Sequence, residues 1–579
     1  MMRIWGAVSL LLIVVSALFA GRWGLDDARA LWCFVFGAYW FVAANLIVFL
    51  YCLCRSYCAD WNGVWGRRCW PFVLGVIGLV CGCVAYVSQF EEVGFKTVMD
   101  EHLIASTAQR LYADHEAVTT VRYEEVDGRH LFLENDVDKR PVFFQFLVSL
   151  VHGLFGYDGE NSIWLNVWIL CPLLFLLLYL LGSRLWGAWG GGLLCAWIAS
   201  IPLCSFIFMG GGLELLNLVL LVALILLCQD FWKQPTAARC GALCFCATLL
   251  AQTRYESVVF VLPVGVVLFL YWRRIGQLRL HWPLYITPLF LVPYLWQNRI
   301  FSMDASNWQL EGQVQPFSLE YVPDNFLRSV NYFLNMQFST PNSWLLAWGA
   351  LIASVCLIGG AVRGWRVAAG WLQGAAVPLV ACSLGFSGLY LILLCYSWDF
   401  GGAIVQRLCL PLYLPMGILL VLFLKYISLK LKFVRVASLL ILLGYVIGYA
   451  APLAAVANYD RGVGWQVYAW IHSMFEEGKL DAEGLYITEN PFFYSIYGYA
   501  CFRPQVANAN KQGLIAYMVQ EGSRAVYTCV RYRAGDDGWR NEMYNRLDAS
   551  FQLEPMLEHH LSPDRKLVFY RIVGVEAVD

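Results

Sequence analysis

The sequence predicts a polytopic α-helical membrane protein, with about thirteen transmembrane helices and a small C-terminal soluble α/β domain. Three observations predict it. Of the 579 residues, 60% are hydrophobic and only 14% charged, whereas a soluble chain is about half apolar and about a quarter charged. The mean hydropathy is +0.58, and apolar runs of roughly 17–25 residues, long enough to cross a bilayer, recur along most of the chain. Residues 459–579 break that pattern with shorter, mixed segments.

The apolar runs begin near Trp5, Leu31, Pro71, Ile163, Trp186, Leu213, Ala237, Val258, Trp282, Trp344, Val367, Leu408 and Val434. The first is expected to remain as a helix, because Leu18-Phe19-Ala20 lacks the small-x-small pattern of a cleaved leader. Alternate loops carry the cations: Arg55, Arg67 and Arg68; Arg184; Lys233 and Arg239; Arg273, Arg274 and Arg279; Arg363 and Arg366; Lys425, Lys430, Lys432 and Arg435. By the positive-inside rule the N-terminus is expected in the cytoplasm, with the polar stretches 91–140, 297–342 and 459–579 outside. The organisation is therefore residues 1–70 as two leading helices and a cytoplasmic loop, 71–458 as the transmembrane core, and 459–579 as an external domain. In that domain the helical stretch Trp465 to Phe475 alternates with β-like runs at Leu485 to Thr488, Ala525 to Val530 and Lys566 to Val575.

Composition also excludes some functions. A net charge of −1 without a basic stripe gives nucleic acid no footprint. Most of the twenty cysteines lie inside apolar runs, where a thiol is a small hydrophobe, and no pair has zinc-finger spacing with matching histidines. Cys501 and Cys529 stand in the polar part and leave open a bridge or two free thiols. No Asn-x-Ser/Thr acceptor occurs, which favours a bacterial cell (inner) membrane.

The first external stretch is the most informative. From Lys96 to Tyr112 the spacing predicts a helix with Ile104, Ala108, Leu111 and Tyr112 on one apolar face. Asp100 precedes Ile104 by four residues and shares that face, where a carboxylate needs a partner, a task or a capping role. The stretch ends Asp138-Lys139-Arg140-Pro141, and the apolar run from Val142 to Phe155 is too short to span, so it should lie in the interface or re-enter. Lys139 and Arg140 then stand at headgroup height, as phosphate ligands or as cationic anchors.

These features together resemble the GT-C class of glycosyltransferases that use polyprenyl- or dolichyl-phosphate sugars, of the protein mannosyltransferase and aminoarabinose transferase type. The resemblance rests on an acidic pair before an amphipathic helix and a Lys-x-Pro start to a helix ending Gly-Leu-Phe-Gly. Further along, Glu214 opens a Leu-rich helix, Arg254-Tyr255-Glu256 resembles the family's Arg-x-Glu, and Arg407 to Pro415 resembles its Arg-Tyr-Leu-Leu-Pro. It covers roughly Pro71 to Val456. Arg140 departs from it, standing where the family has a first proline, and two apolar runs precede the aligned core.

The resemblance implies a GT-C-like fold and transfer of a hexosyl or pentosyl group, with inversion, to a glycan, lipid or protein hydroxyl. The acceptor hydroxyl needs a general base and the departing phosphate needs cations. By resemblance Asp100 is the base and Glu101 its orienter or substitute. Lys139, Arg140, Glu214, Arg254, Glu256 and Arg407 are the substrate-binding residues. The partners implied are a lipid-linked sugar phosphate, membrane lipids and the acceptor. No metal ligand is assigned, and a divalent cation bridging Asp100 and a second acid is left open. The alternative is a transporter, flippase, polymerase or ligase of lipid-linked saccharides.

Overall fold

The computed structural model describes residues 2–58, 70–126, 129–302, 315–338, 340–362, 366–400, 403–456, 463–520, 524–535, 538–541 and 547–576. The chain forms two compact units. A helical unit comprises Met1–Gly94, Lys139–Phe146 and Ile163–Tyr459; a sheet unit comprises Phe95–Asp138, Leu147–Ser162 and Asp460–Asp579.

Apolar length shapes the helical unit. Among the described residues seven helices are long and apolar enough to cross a membrane: Asp27–Tyr57, Asn161–Ala199, Glu214–Lys233, Tyr255–Ile275, Val377–Leu394, Val405–Ser428 and Val434–Val456. Shorter apolar helices occupy Gly6–Arg22, Phe72–Ser88, Phe143–Phe155, Ala237–Ala251 and Trp344–Gly359. The protein is thus an integral membrane protein, while the expected count of about thirteen crossings is larger than these seven.

Part of the difference has a local cause. Within Cys171–Ala199 the helix breaks at Trp186 (φ −145°, ψ 31°) and Gly187 (φ 62°, ψ −161°), where a new run was expected to begin. A Cβ on Gly182 would lie 2.3 Å from the Gly190 carbonyl oxygen. Residues eight apart on a straight helix are separated by about 12 Å, so the chain has turned back and packs glycine on glycine. The run expected from Trp282 is divided differently. Helix Pro283–Ile286 passes into a 3-10 turn, Thr287–Leu291, before helix Val292–Ser302. Pro283, Pro288 and Pro293 each remove a backbone donor there. Arg299 secures that last helix by donating to the Leu25 carbonyl at 2.6 Å and pairing with Asp27 at 2.5 Å.

Among the described residues the sheet unit has eight strands: β1 Thr119–Val126, β2 Arg129–Asp136, β3 Leu485–Ile487, β4 Ala500–Phe502, β5 Val526–Gly535, β6 Gly538–Asn541, β7 Phe551–Ser562 and β8 Arg565–Val575. Their order is β2-β1-β4-β3-β5-β8-β7, with β6 on β5. Only β3 pairs in parallel, with β4 and β5, and both β3 and β4 are wholly buried, as short central parallel strands are. Ile487, Val526, Ala507 and Ile572 pack one core. The helical stretch expected at Trp465 is Val463–Glu476, and the three β-like runs become β3, β5 and β8.

Strands β1 and β2 were not expected; they bring the first long polar stretch into the sheet through Tyr123 opposite Cys501. Cys501 and Cys529 form no disulfide with each other. They stand on β4 and β5 with β3 between, two strand spacings or about 9.6 Å apart, beyond the roughly 7 Å that a disulfide spans.

The hairpin at Trp186 gives a direct test. Gly182→Val should cost about 1–3 kcal/mol or more by overpacking against backbone that cannot step aside, lowering the melting temperature of the detergent-purified protein. Gly192→Ala, where a Cβ meets nothing within 4 Å, should leave it unchanged. Equal melting temperatures for both variants would contradict the hairpin.

Candidate functional site

Four of the expected substrate-binding residues meet inside the helical unit. Glu214 is the first residue of helix Glu214–Lys233, whose central window is 94% buried. Two amides hold that helix start. Asn166, from the π-helical turn Leu165–Leu170, donates to the carbonyls of Gly210 at 2.7 Å and Gly212 at 2.8 Å. One turn beyond Glu214, Asn217 accepts from the Ser257 hydroxyl at 2.7 Å. An uncompensated amide in an apolar run is costly, and that cost marks Asn166 and Asn217 in the sequence, although neither was expected at the site.

Ser257 belongs to the 3-10 turn Tyr255–Phe260, entered from Arg254 in extended conformation (φ −142°, ψ 140°). The Tyr255 carbonyl accepts from the Tyr294 hydroxyl at 3.0 Å. The extended residue directs the Arg254 side chain to two carboxylates. Nη1 donates to Glu214 Oε1 at 2.9 Å, and Nε pairs with Glu256 Oε1. Among the described residues the third nitrogen, Nη2, donates to none. Arg407, from the short helix Ala403–Leu408, reaches the same Glu214 oxygen at 3.3 Å. The four side chains are between 5% and 11% exposed. Two guanidinium and two carboxylate groups balance to zero charge, the condition for burying ions at tolerable cost.

Lys139 and Arg140 lie in the same unit, and their segment is bound to the Arg254 loop. The Phe143 N–H donates to the Gln252 carbonyl at 3.0 Å, and Gln297 Nε2 donates to the Arg140 carbonyl at 2.7 Å. Arg140 is buried and Lys139 half-buried. The interfacial run that follows is helix Phe143–Phe155, thirteen residues, too short to span.

Asp100 and Glu101 belong to the sheet unit, in helix Val98–Ala113. Thr97, not Asp100, occupies the N-cap, so Asp100 lies inside the first turn and is half-buried. Glu101 is buried, and its Oε2 accepts from the Lys96 N–H at 2.7 Å. Ile104, Ala108 and Leu111 are buried as the spacing predicts, but Tyr112 is 41% exposed; its ring stacks on Tyr157 instead. His102, on the same helix, is fully buried against the rings of Phe95, Tyr468 and Phe493. Burial pushes the Tyr468 phenol well above its ordinary range. No group of three His, Cys, Asp or Glu side chains converges as a metal site among the described residues.

No protein-family model matches the chain, and no curated protein sequence matches it. Among solved structures it is similar to ArnT from Cupriavidus metallidurans bound to undecaprenyl phosphate: 13% identity, TM-score 0.43, covering 88% of this chain and 99% of that one. It is also similar to the Archaeoglobus fulgidus oligosaccharyltransferase complex with zinc and sulfate: 11% identity, TM-score 0.42, covering 80% and 72%. A third is arabinosyltransferase EmbB from Mycobacterium smegmatis: 12% identity, TM-score 0.32, covering 74% and 46%. These three are GT-C glycosyltransferases, the class named by the sequence resemblance. At TM-scores below 0.5 no residue's role passes from them to this chain.

The ion cluster predicts its own mutational signature. Arg254→Met strands the buried Glu256 carboxylate and removes one of the two arginines on Glu214, and should cost about 3–5 kcal/mol, read as a lower melting temperature of the purified protein. Arg254→Lys keeps the charge without the fork and should fall between the two. A melting temperature for Arg254→Met equal to wild type would show that the pairs carry no structural energy.

Proposed function

We propose that the protein transfers a sugar from a polyprenyl-phosphate-linked donor to an acceptor hydroxyl at the outer face of the membrane, with inversion at the anomeric carbon. The observation that carries this reading is the buried cluster in which Glu214 and Glu256 hold Arg254, with Arg407 on Glu214. A guanidinium gripped on two sides is preorganised, and its remaining N–H group is fixed in direction. Nη2 of Arg254 is such a donor for a phosphate oxygen. Arg407 and the Lys139–Arg140 segment supply further positive charge, and Lys139 acts as a point charge on the same anion.

The chemistry asks for little else. The acceptor oxygen attacks the anomeric carbon, the bond from that carbon to the phosphate oxygen breaks, and the electron pair leaves with the phosphate. Preorganised cations lower this barrier because they need not reorganise as charge gathers on the leaving group. The acceptor proton passes to a carboxylate, assigned here to Asp100; a single displacement of this kind inverts the centre. Glu101, already accepting from the Lys96 N–H, orients that helix start. The donor is a lipid-linked sugar phosphate drawn from the surrounding membrane, and the acceptor is a glycan, lipid or protein hydroxyl.

The test is transfer by the purified protein in detergent from a panel of polyprenyl-phosphate sugars. Asp100→Asn should reduce turnover by about 10²–10⁴-fold, the range for loss of a general base, with an unchanged melting temperature. Lys139→Ala should weaken donor binding. Full turnover in Asp100→Asn would remove its role as base, and no transfer from any donor by wild type would remove the function.

A further inference from the structure

A groove runs beside the helical stretch that follows the break at Trp186. Ala188, Gly192 and Ala196 recur there every fourth residue and share one face. Leu79 of helix Trp70–Ser88 and Leu439 and Leu442 of helix Val434–Tyr445 flank that face, and together these residues line a cavity of about 340 Å³. A Cβ added at Gly192 would meet nothing within 4 Å. Leu442 is buried, but Leu439 is 44% exposed and Trp189, also on the lining, 39%, so the groove is open on one side. All of it belongs to the helical unit.

One end of the groove is cationic. Arg435 precedes Leu439 by one turn and Leu442 by two on the same helix face, about 6 Å and about 10 Å along the axis. Its guanidinium carbon lies 5.9 Å from the centroid of the Trp186 ring, and Trp186 stands two residues before Ala188. Lys425 holds the same turn by donating to the Leu185 carbonyl at 2.8 Å. Arg435 pairs with no carboxylate among the described residues. Between Asp399 and Asp460 the sequence carries five cations and no acid. Tryptophan beside arginine at a helix end is the composition of a membrane–water boundary.

These features select the occupant. Asn161–Ala199 and Val434–Val456 are long and apolar enough to cross a membrane, so the open side of the groove faces lipid chains. An empty groove forfeits the dispersion contacts of its lining, and an alkyl chain restores them. Chains alone are not discriminated, because lipid tails are as apolar as leucine. Arg435 discriminates: a lipid with a net negative headgroup supplies its counter-charge and fills the groove with the same molecule. A soluble anion would leave the groove empty, and a neutral lipid would leave the guanidinium uncompensated.

We propose that this groove binds an anionic phospholipid of the surrounding bilayer, its headgroup on Arg435 and one acyl chain along Ala188, Gly192 and Ala196. The positive-inside expectation puts Arg435 at the cytoplasmic leaflet, where anionic lipids are concentrated and basic pockets between membrane helices bind their headgroups. The site shares no residue with the ion cluster at Glu214 and does not depend on the reading of that cluster.

The experiment titrates the purified full-length protein in a neutral detergent with phosphatidylglycerol or with phosphatidylcholine of the same chains, and counts bound lipid by native mass spectrometry. Wild type should retain phosphatidylglycerol more tightly, and an excess of polyprenyl phosphate should not displace it. Arg435→Gln should weaken phosphatidylglycerol about fivefold, the worth of one cation near an anionic membrane surface, and leave phosphatidylcholine unchanged; Arg435→Lys should keep the preference. Gly192→Leu, which puts a side chain into the groove and leaves Arg435 intact, should lose it. Four results would overturn the site: equal retention of the two phospholipids by wild type; an unchanged affinity in Arg435→Gln; a preference that survives Gly192→Leu, which would reduce the site to surface charge; or displacement by polyprenyl phosphate, which would give the groove to a carrier lipid instead.

Discussion

One carboxylate oxygen, Oε1 of Glu214, receives two arginines, at 2.9 Å from Arg254 and 3.3 Å from Arg407. Each of these side chains alone would be prohibitive in an apolar interior, since an isolated buried ion changes its protonation or unfolds its surroundings. Together with Glu256 they are neutral, and removing any one of them leaves a buried net charge. Three separated stretches of chain are thereby obliged to meet: the start of helix Glu214–Lys233, the extended residue before the turn Tyr255–Phe260, and the helix Ala403–Leu408. The neutral locks around them serve the same end. Asn166 fixes the glycine loop before Glu214, and Asn217 with Ser257 fixes the helix start to the turn.

Much of the architecture could be read from the sequence because its cause is local. Apolar run length placed the helices, the reversal at Trp186 coincided with a break in the runs, and alternation placed β3, β5 and β8. The number of crossings was less readable. Length alone does not separate a helix that turns back at Gly187 from one that continues, nor an unbroken helix from one interrupted at Thr287–Leu291. The partnership of β1 and β2 with β4 escaped for another reason: Tyr123 and Cys501 lie far apart in sequence, and no local pattern announces such a pairing. The hairpin itself carried a signal, Asp127-Gly128 between two alternating runs, which the weight given to external loops obscured.

At the candidate site the charged residues were readable and the neutral ones were not. Glu214, Arg254, Glu256 and Arg407 stand out because a charge in an apolar stretch needs a reason, and the structure brings these four together. Gln145 and Gln252 carry no charge and stand within and just after largely apolar helices, where an amide passes as a tolerated exception. Only the coordinates show that one is wholly unpartnered and the other half so. Lys139 and Arg140 were placed by their position before an interfacial helix, yet what ties them to Arg254 is a backbone bond, Phe143 to Gln252, which no side-chain pattern could reveal.

Consistency across levels is what a folded sequence ordinarily shows, and the places where it fails are where function is expected. The helical unit balances the charges of Glu214, Glu256, Arg254 and Arg407 and leaves the Gln145 amide without a partner. These two facts have different physical meanings. Ion pairing stabilises the empty site, because the arginines are neutralised whether or not an anion is present. The unpaired amide does the reverse, since a buried donor and acceptor left without partners cost free energy. In the proposed site the carboxylates set how strongly the arginines would respond to a phosphate, since an anion has to compete with Glu214 and Glu256 for them.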